Sequence, residues 1–172
     1  MSAQTDQDAS KSKAFVIDWE ASPTFWQPVP ANGFVRNILN STTTGGATSF
    51  SLSTQTVDPG CMIREHVHDH EEELFFMLEG EGFARLDGEE FPIKKGSTVY
   101  IGKGRRHHFI NRSDKPFTFL VVMMPGGLDT FFERIGRPRK EGDPAPEPFA
   151  RPADIAKIEQ ETVFGWVDKS YD

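Results

Sequence analysis

The stretch GCMIREHVHDHEEELFFMLEG, residues 60–80, sets three histidines and three consecutive glutamates between two glycines and then turns apolar. Read as strand, turn and strand, it brings its polar side chains towards one place. Side chains two apart on a strand share a face, so Met62, Arg64, His66 and His68 are expected on one side and Ile63, Glu65 and Val67 on the other. Two imidazoles whose backbones lie about 7 Å apart can both reach one ion at roughly 2.0 to 2.2 Å. The next strand opens at Glu73 and carries Phe75 and Met77 on its face. His70, Glu71 and Glu72 fall in the turn and are read as solvated. A His-x-His pair alone is weak evidence for a metal, so a third nitrogen donor must come from elsewhere.

That reading needs strands on either side. In TSFSLSTQTV, residues 48–57, Phe50 and Leu52 alternate with serines, the period-2 pattern of a half-buried strand, and Asp58-Pro59-Gly60 turns the chain. ELFFMLEG, GFARLDGEEF and GSTVYIG follow, with Asp87-Gly88 as a hairpin signal. PFTFLVVMM, residues 116–124, is nearly continuous in apolar residues, as in a strand covered on both faces. Many short strands between glycine turns indicate a β-sandwich or small barrel. Helix is expected only towards the end, at DTFFERIG and at PADIAKIEQETVF. The third donor is supplied by GSTVYIGKGRRHHFIN, residues 96–111: His107 starts a strand with Phe109 and Asn111 on its parity, while His108 and Ile110 point the other way.

Composition sets the partners. At 172 residues the chain accommodates one domain with extensions. Its net charge of −7 argues against a nucleic acid or an anionic membrane and for a small molecule. Cys61 is the only cysteine and is read as a small filler; with no secretory signal at the N-terminus, the expected compartment is the cytoplasm. Residues 1–13 are polar and small and are read as a disordered tail. Residues 14–33 mix aromatics with prolines and are read as an irregular arm, able to exchange with a second subunit in a homodimer. The barrel is placed at residues 34–126. Residues 127–172 form a helical and proline-rich extension, in which the proline density of residues 136–148 forbids helix or sheet.

The two stretches resemble the paired motifs of the cupin superfamily. Gly60, His66, His68, Glu73 and Gly80 fit the first, G-x5-H-x-H-x4-E-x6-G. Gly96, Gly104, His107 and Asn111 fit the second, with Gly102 where the family has proline, a change that loosens the turn before His107. The resemblance implies an all-β cupin barrel, or jelly roll, binding one metal ion through His66, His68, Glu73 and His107. Three imidazoles and a carboxylate suit divalent Fe, Mn, Ni, Cu or Zn and not calcium.

The extension after the barrel looks like that of quercetinase-like, dioxygenase-type members. The expectation is therefore a metal-dependent oxidoreductase acting on a small enol, phenolic or hydroxy-acid molecule. Glu73 would serve as base, and Arg64, Phe75, Met77 and Phe109 would line the substrate pocket. The alternatives are a non-redox isomerase, lyase, decarboxylase or cyclase, with the metal polarising a carbonyl, and a ligand-binding barrel without catalysis.

Overall fold

The computed structural model of the chain describes residues 14–46 and 49–164, and the tail read at residues 1–13 lies outside them. In chain order the strands are β1 (Thr24–Trp26), β2 (Phe34–Leu39), β3 (Ser51–Val57), β4 (Met62–His66), β5 (Glu72–Glu79), β6 (Glu81–Leu86), β7 (Glu89–Lys94), β8 (Thr98–Ile101), β9 (His107–Ile110), β10 (Phe117–Met124) and β11 (Arg137–Arg139). The helices are α1 (Ser41–Thr44), α2 (Leu128–Ile135) and α3 (Ile155–Gln160). All strand pairs are antiparallel. They make one sheet of order β11-β1-β2-β3-β10-β5-β8 and a second of order β4-β9-β6-β7. Strands from both sheets contribute to one apolar core, so the molecule is the all-β barrel that the alternating pattern implies.

Local chemistry fixes the turns. Asp87 and Gly88 both adopt positive φ, 50° and 91°, which matches the twist of the β6–β7 hairpin they close. Gly80 has φ +76°, and a Cβ there would lie 2.7 Å from the Phe117 Cα, so this turn between β5 and β6 admits no side chain. The core is aromatic: Phe75, Phe109 and Phe119 pack with ring centroids 4.6, 4.9 and 5.2 Å apart. Burying one such ring is worth about 1.5–3 kcal/mol. Asn111 is also buried, its Nδ2 donating to the carbonyls of Val57 and Lys115, so this motif residue ties loops together and does not face the histidines' common centre.

Four expectations change. The segment read as an irregular arm contains β1, which pairs with β2 and with β11 of its own chain. β11 falls inside the stretch where proline was expected to forbid sheet; it lies at a sheet edge, where Pro138 costs no ladder bond on the open side. Helix is not confined to the end: Asn40 caps α1 by accepting from the Thr43 N–H, and the Thr43 hydroxyl accepts from the Asn40 N–H. Finally, β10 alternates buried and half-buried residues instead of being covered on both faces, and Phe76 and Tyr100 on the outer side of the same sheet are 40% and 59% exposed.

The two helices expected near the end are present. α2 places Leu128, Phe131, Phe132 and Ile135 on one buried face, the i, i+3, i+4, i+7 spacing of an amphipathic helix, and packs on β3 and α3. That face closes one end of the barrel.

Candidate metal centre

His66 ends β4, His107 begins β9, Glu73 is the second residue of β5, and His68 sits just past β4. Their ligand atoms all lie within 4.8 Å of one another, and the four residues are 6, 0, 2 and 2% exposed in that order. The barrel therefore gathers from three strands the four side chains that the motif names.

Each imidazole is oriented by its own carbonyl. Nδ1–H of His66 donates to the Arg64 carbonyl at 2.8 Å, that of His107 to the Arg105 carbonyl at 3.0 Å, and that of His68 to the Val163 carbonyl at 2.6 Å. Protons held on Nδ1 leave each Nε2 as a lone pair, the tautomer that a metal ligand needs. Glu73 Oε2 lies 2.9 Å from His107 Nε2 and 3.4 Å from His68 Nε2. Those three atoms are buried without an aligned hydrogen-bond partner. Buried polar atoms left so are costly, and a shared cation is the partner that would satisfy all of them. The donor set thus fits a divalent transition metal, as three imidazoles and one carboxylate should.

The electrostatics agree. Burial alone would push the Glu73 carboxyl up, but its contacts with His107 and His68 outweigh burial and hold it well below the usual carboxylate range. Burial, reinforced by His107 and His68, keeps His66 well below its ordinary value and therefore neutral. Burial also lowers His68, but its contact with Glu73 prevails and leaves it raised. The cluster offers an ionised carboxylate beside a neutral imidazole before any ion arrives.

β4 departs from the strict alternation expected of residues 62–68. Ile63 pairs with Phe109 and His66 with His107, so Arg64 and Glu65 together oppose His108 alone in a β-bulge. Met62 is 37% exposed yet lines the same cavity as Ile63 and His66. His108 points away from the cluster and its ring is held below the ordinary value by burial. His70 is exposed in the turn. Gly102, in place of proline, sits in a turn held by Arg105 N–H donating to its carbonyl and by Gly104 N–H donating to the His68 carbonyl at 2.8 Å.

Above the cluster is a cavity of about 70 Å³ that opens to solvent. Its walls are Ile63, Phe75, Phe109, Leu128, Phe131 and Phe132, and its polar groups include His66, Glu73, Gln27, Gln55, Arg64 and Arg151. Of the expected pocket residues, Arg64, Phe75 and Phe109 line it. Met77 does not: two residues beyond Phe75, about 7 Å further along β5, it is buried lower in the core. The sequence reading missed Arg151, the α2 phenylalanines and Phe164, whose ring lies 5.1 Å from His66, 5.0 Å from His68 and 4.2 Å from Phe131. Their signal was faint because they follow the barrel by up to 40 residues and carry no fixed spacing to the histidines.

Comparison with known proteins places these features. The family described as Cupin domain matches residues 53–123, which span the whole donor set. Protein SchB of Streptomyces halstedii is 38% identical over 103 residues, covering 58% of this chain and 74% of that protein. The tetracenomycin polyketide synthase protein TcmJ of Streptomyces glaucescens is 26% identical over 130 residues, 72% of this chain and 78% of that protein. Quercetin 2,3-dioxygenase of Bacillus subtilis is 31% identical over 80 residues, 46% of this chain but 23% of that protein. Among solved structures, a predicted oxalate decarboxylase from Thermotoga maritima superposes with a TM-score of 0.56 at 22% identity, covering 64% of this chain and 99% of that one, a likeness of fold. A barrel of two antiparallel sheets, a buried His-His-Glu-His cluster between them and these matches together establish that the chain belongs to the cupin family.

Proposed function

We infer that the protein is a metal-dependent enzyme that moves a proton on an enolisable or phenolic small molecule, in a cyclase- or isomerase-type reaction. The observation that carries this reading is an ionised carboxylate, Glu73, which is clustered with three imidazoles and, with one of them, His66, lines a largely apolar cavity. His66, His68, Glu73 and His107 would hold the ion, which when bound polarises a carbonyl, enol or phenol oxygen. Phe75 and Phe109 on one side and Phe131 and Phe132 on the other would exclude water and hold a flat ring system. Glu73 can accept a proton from the substrate carbon or hydroxyl because its negative charge is retained despite burial. The likeness to polyketide synthase proteins over most of their length supports a poly-oxygenated aromatic or polyketone substrate.

A second reading, insertion of dioxygen into such a substrate, is supported by the identity with quercetin 2,3-dioxygenase. The two part on one experiment. Protein purified without added metal is analysed for its elements, then incubated with flavonols and aromatic polyketones under air and under argon while oxygen uptake and product are followed. Turnover that continues under argon with no oxygen consumed supports the proton-transfer reading, and turnover that stops under argon with one oxygen consumed per product replaces it by the second. Binding without turnover in either atmosphere would reduce the barrel to a ligand-binding role.

The assembly in which it works is a homodimer, a reading supported by the exposed Phe76 and Tyr100 on the outer side of the seven-stranded sheet. Among the described residues no helix is long and apolar enough to cross a membrane. A reducing, cytoplasmic setting is supported by the lone Cys61, which is free.

A further inference from the structure

Two glutamines meet in the wall of the metal cavity. Gln27 follows β1 and Gln55 lies on β3; they are buried, 5 and 6% exposed, and both line the cavity with Glu73, Phe75 and Phe109. A primary amide has an accepting end and a donating end, and the partners of Gln27 decide which is which. Its Nε2 donates to the backbone carbonyls of Asn32 and Thr56, each at 2.8 Å, a place that only the nitrogen can fill. Its Oε1 is thereby turned to Gln55 and accepts from the Gln55 Nε2–H at 2.5 Å. That bond orients the second amide in turn.

The consequence falls on Gln55 Oε1. Among the described residues no group donates to it. The oxygen keeps accessible surface although the residue as a whole is buried, and the cavity that Gln55 lines is the space it opens on. Gln55 stands opposite Phe119 on β10 and Glu73 opposite Met123, all on the inner face, so the two side chains enter the barrel at levels about 13 Å apart along that strand. A ligand that fills the cavity takes Gln55 Oε1 out of water. A hydroxyl replaces the lost hydrogen bond, whereas an ether, a halogen or a carbonyl in the same place has no proton to give and leaves the acceptor unpaired.

We propose that Gln55, held in this orientation by Gln27, accepts a hydrogen bond from a substrate hydroxyl on the side of the cavity away from Glu73, and so selects ring compounds with a second hydroxyl over analogues of the same shape without one. The proposal deepens the enzymatic reading and rests on it only in taking this cavity as the substrate site. Gln55 is then a specificity residue and Gln27 its positioning residue.

The test uses the full chain, zinc-loaded and metal-free, and two pairs of probes that differ only in hydroxyl against fluorine. The pairs are resorcinol with 3-fluorophenol and, for a longer span, 2,7-dihydroxynaphthalene with 7-fluoro-2-naphthol. In each probe one hydroxyl is anchored at the metal centre, by the ion or by the Glu73 carboxylate, and the second position reads Gln55. By calorimetric titration, wild type is expected to bind the diol of at least one pair about tenfold or more tightly than its fluoro partner, beyond the roughly twofold that two equivalent hydroxyls give by number. Fluorine is the more apolar substituent, so a cavity acting through its apolar walls alone would give the opposite order. In Gln55→Met the ratio should fall to about that statistical value, with zinc content and fluoro-probe affinity unchanged. Gln27→Met should lower the same ratio part of the way, because the Gln55 amide can then turn its nitrogen to the cavity.

Ratios at the statistical value in both wild-type pairs, a comparison that needs no variant to fold, overturn the subsite, as does no measurable binding of any probe. So does a high ratio that survives in Gln55→Met, and an unchanged ratio in Gln27→Met overturns the part given to Gln27. Protein that takes up no zinc but keeps the Gln55-dependent ratio sinks the metal-dependent reading alone and leaves the subsite standing.

Discussion

His68 and Val163 are joined by a 2.6 Å hydrogen bond from the ring Nδ1–H to the backbone carbonyl, across 95 residues of sequence. The barrel alone thus does not finish the metal centre. His66 and His107 find their carbonyl two residues away in their own segments, but His68 borrows its acceptor from the chain beyond α3, where Phe164 also packs against two of the three imidazoles.

Removing residues 163–172 should therefore weaken metal binding about ten- to hundredfold, the cost of losing an acceptor that fixes a ligand's tautomer. Removing only residues 165–172 should leave affinity near wild type. Competition with a chromophoric chelator measures both, and equal losses in the two truncations would deny Val163 and Phe164 this role.

Acid should destabilise the metal-free protein through Glu73. Its folded-state carboxyl titrates below the ordinary value, so the stability it contributes is present above about pH 4.5 and is lost as pH falls through the folded value. His66, also lowered, loses stability on acidification below about pH 6.5; His68, raised, contributes fully below that pH and loses its part as pH rises through its folded value. His66 acts below about pH 6.5 and His68 above it, so the melting temperature should be highest near pH 6.5, decline on either side, and fall further through Glu73 below about pH 4.5. In Glu73→Gln the low-pH drop should shrink, as read by thermal denaturation at a series of pH values.

Asn111 is a motif residue with a structural task, and the two kinds can be told apart. Asn111→Ala removes the donor to the buried Val57 carbonyl and to the part-buried Lys115 carbonyl and should cost about 1–3 kcal/mol, while metal stoichiometry stays at the wild-type value. His107→Ala should do the reverse, abolishing tight metal binding. Denaturant unfolding and elemental analysis of the two variants check the contrast.

The outer side of the seven-stranded sheet carries the last expectation. Phe76→Glu places a charge among apolar neighbours that a second copy would cover, and should shift the protein from dimer to monomer in light scattering. A chain lacking residues 1–33 should remain dimeric if that face, not the segment containing β1, makes the contact; dissociation of the truncated chain together with a dimeric Phe76→Glu would assign assembly to the N-terminal segment.

The four clustered side chains were legible because each is marked by a short-range spacing: His66 and His68 stand two apart where β4 ends, and glycines at set distances mark the turns that return Glu73 and His107 to the same end of the barrel. The bulge at Arg64 and Glu65 was not legible, since an extra residue in one strand shows only against its partner. Nor was β11, whose Arg-Pro-Arg sequence forms strand because β1 offers it an edge. Arg151, Val163 and Phe164 reach the site through the packing of α2 and α3, a tertiary outcome that no local period encodes.

The irregularity in β4 has one more implication. By spending two residues where its neighbour spends one, the strand keeps its imidazoles in frame while freeing Arg64 from the ladder's up-and-down rule. Relatives could then exchange the side chain at that spot and acquire a taste for different molecules, without disturbing the grip on the ion a few ångströms below.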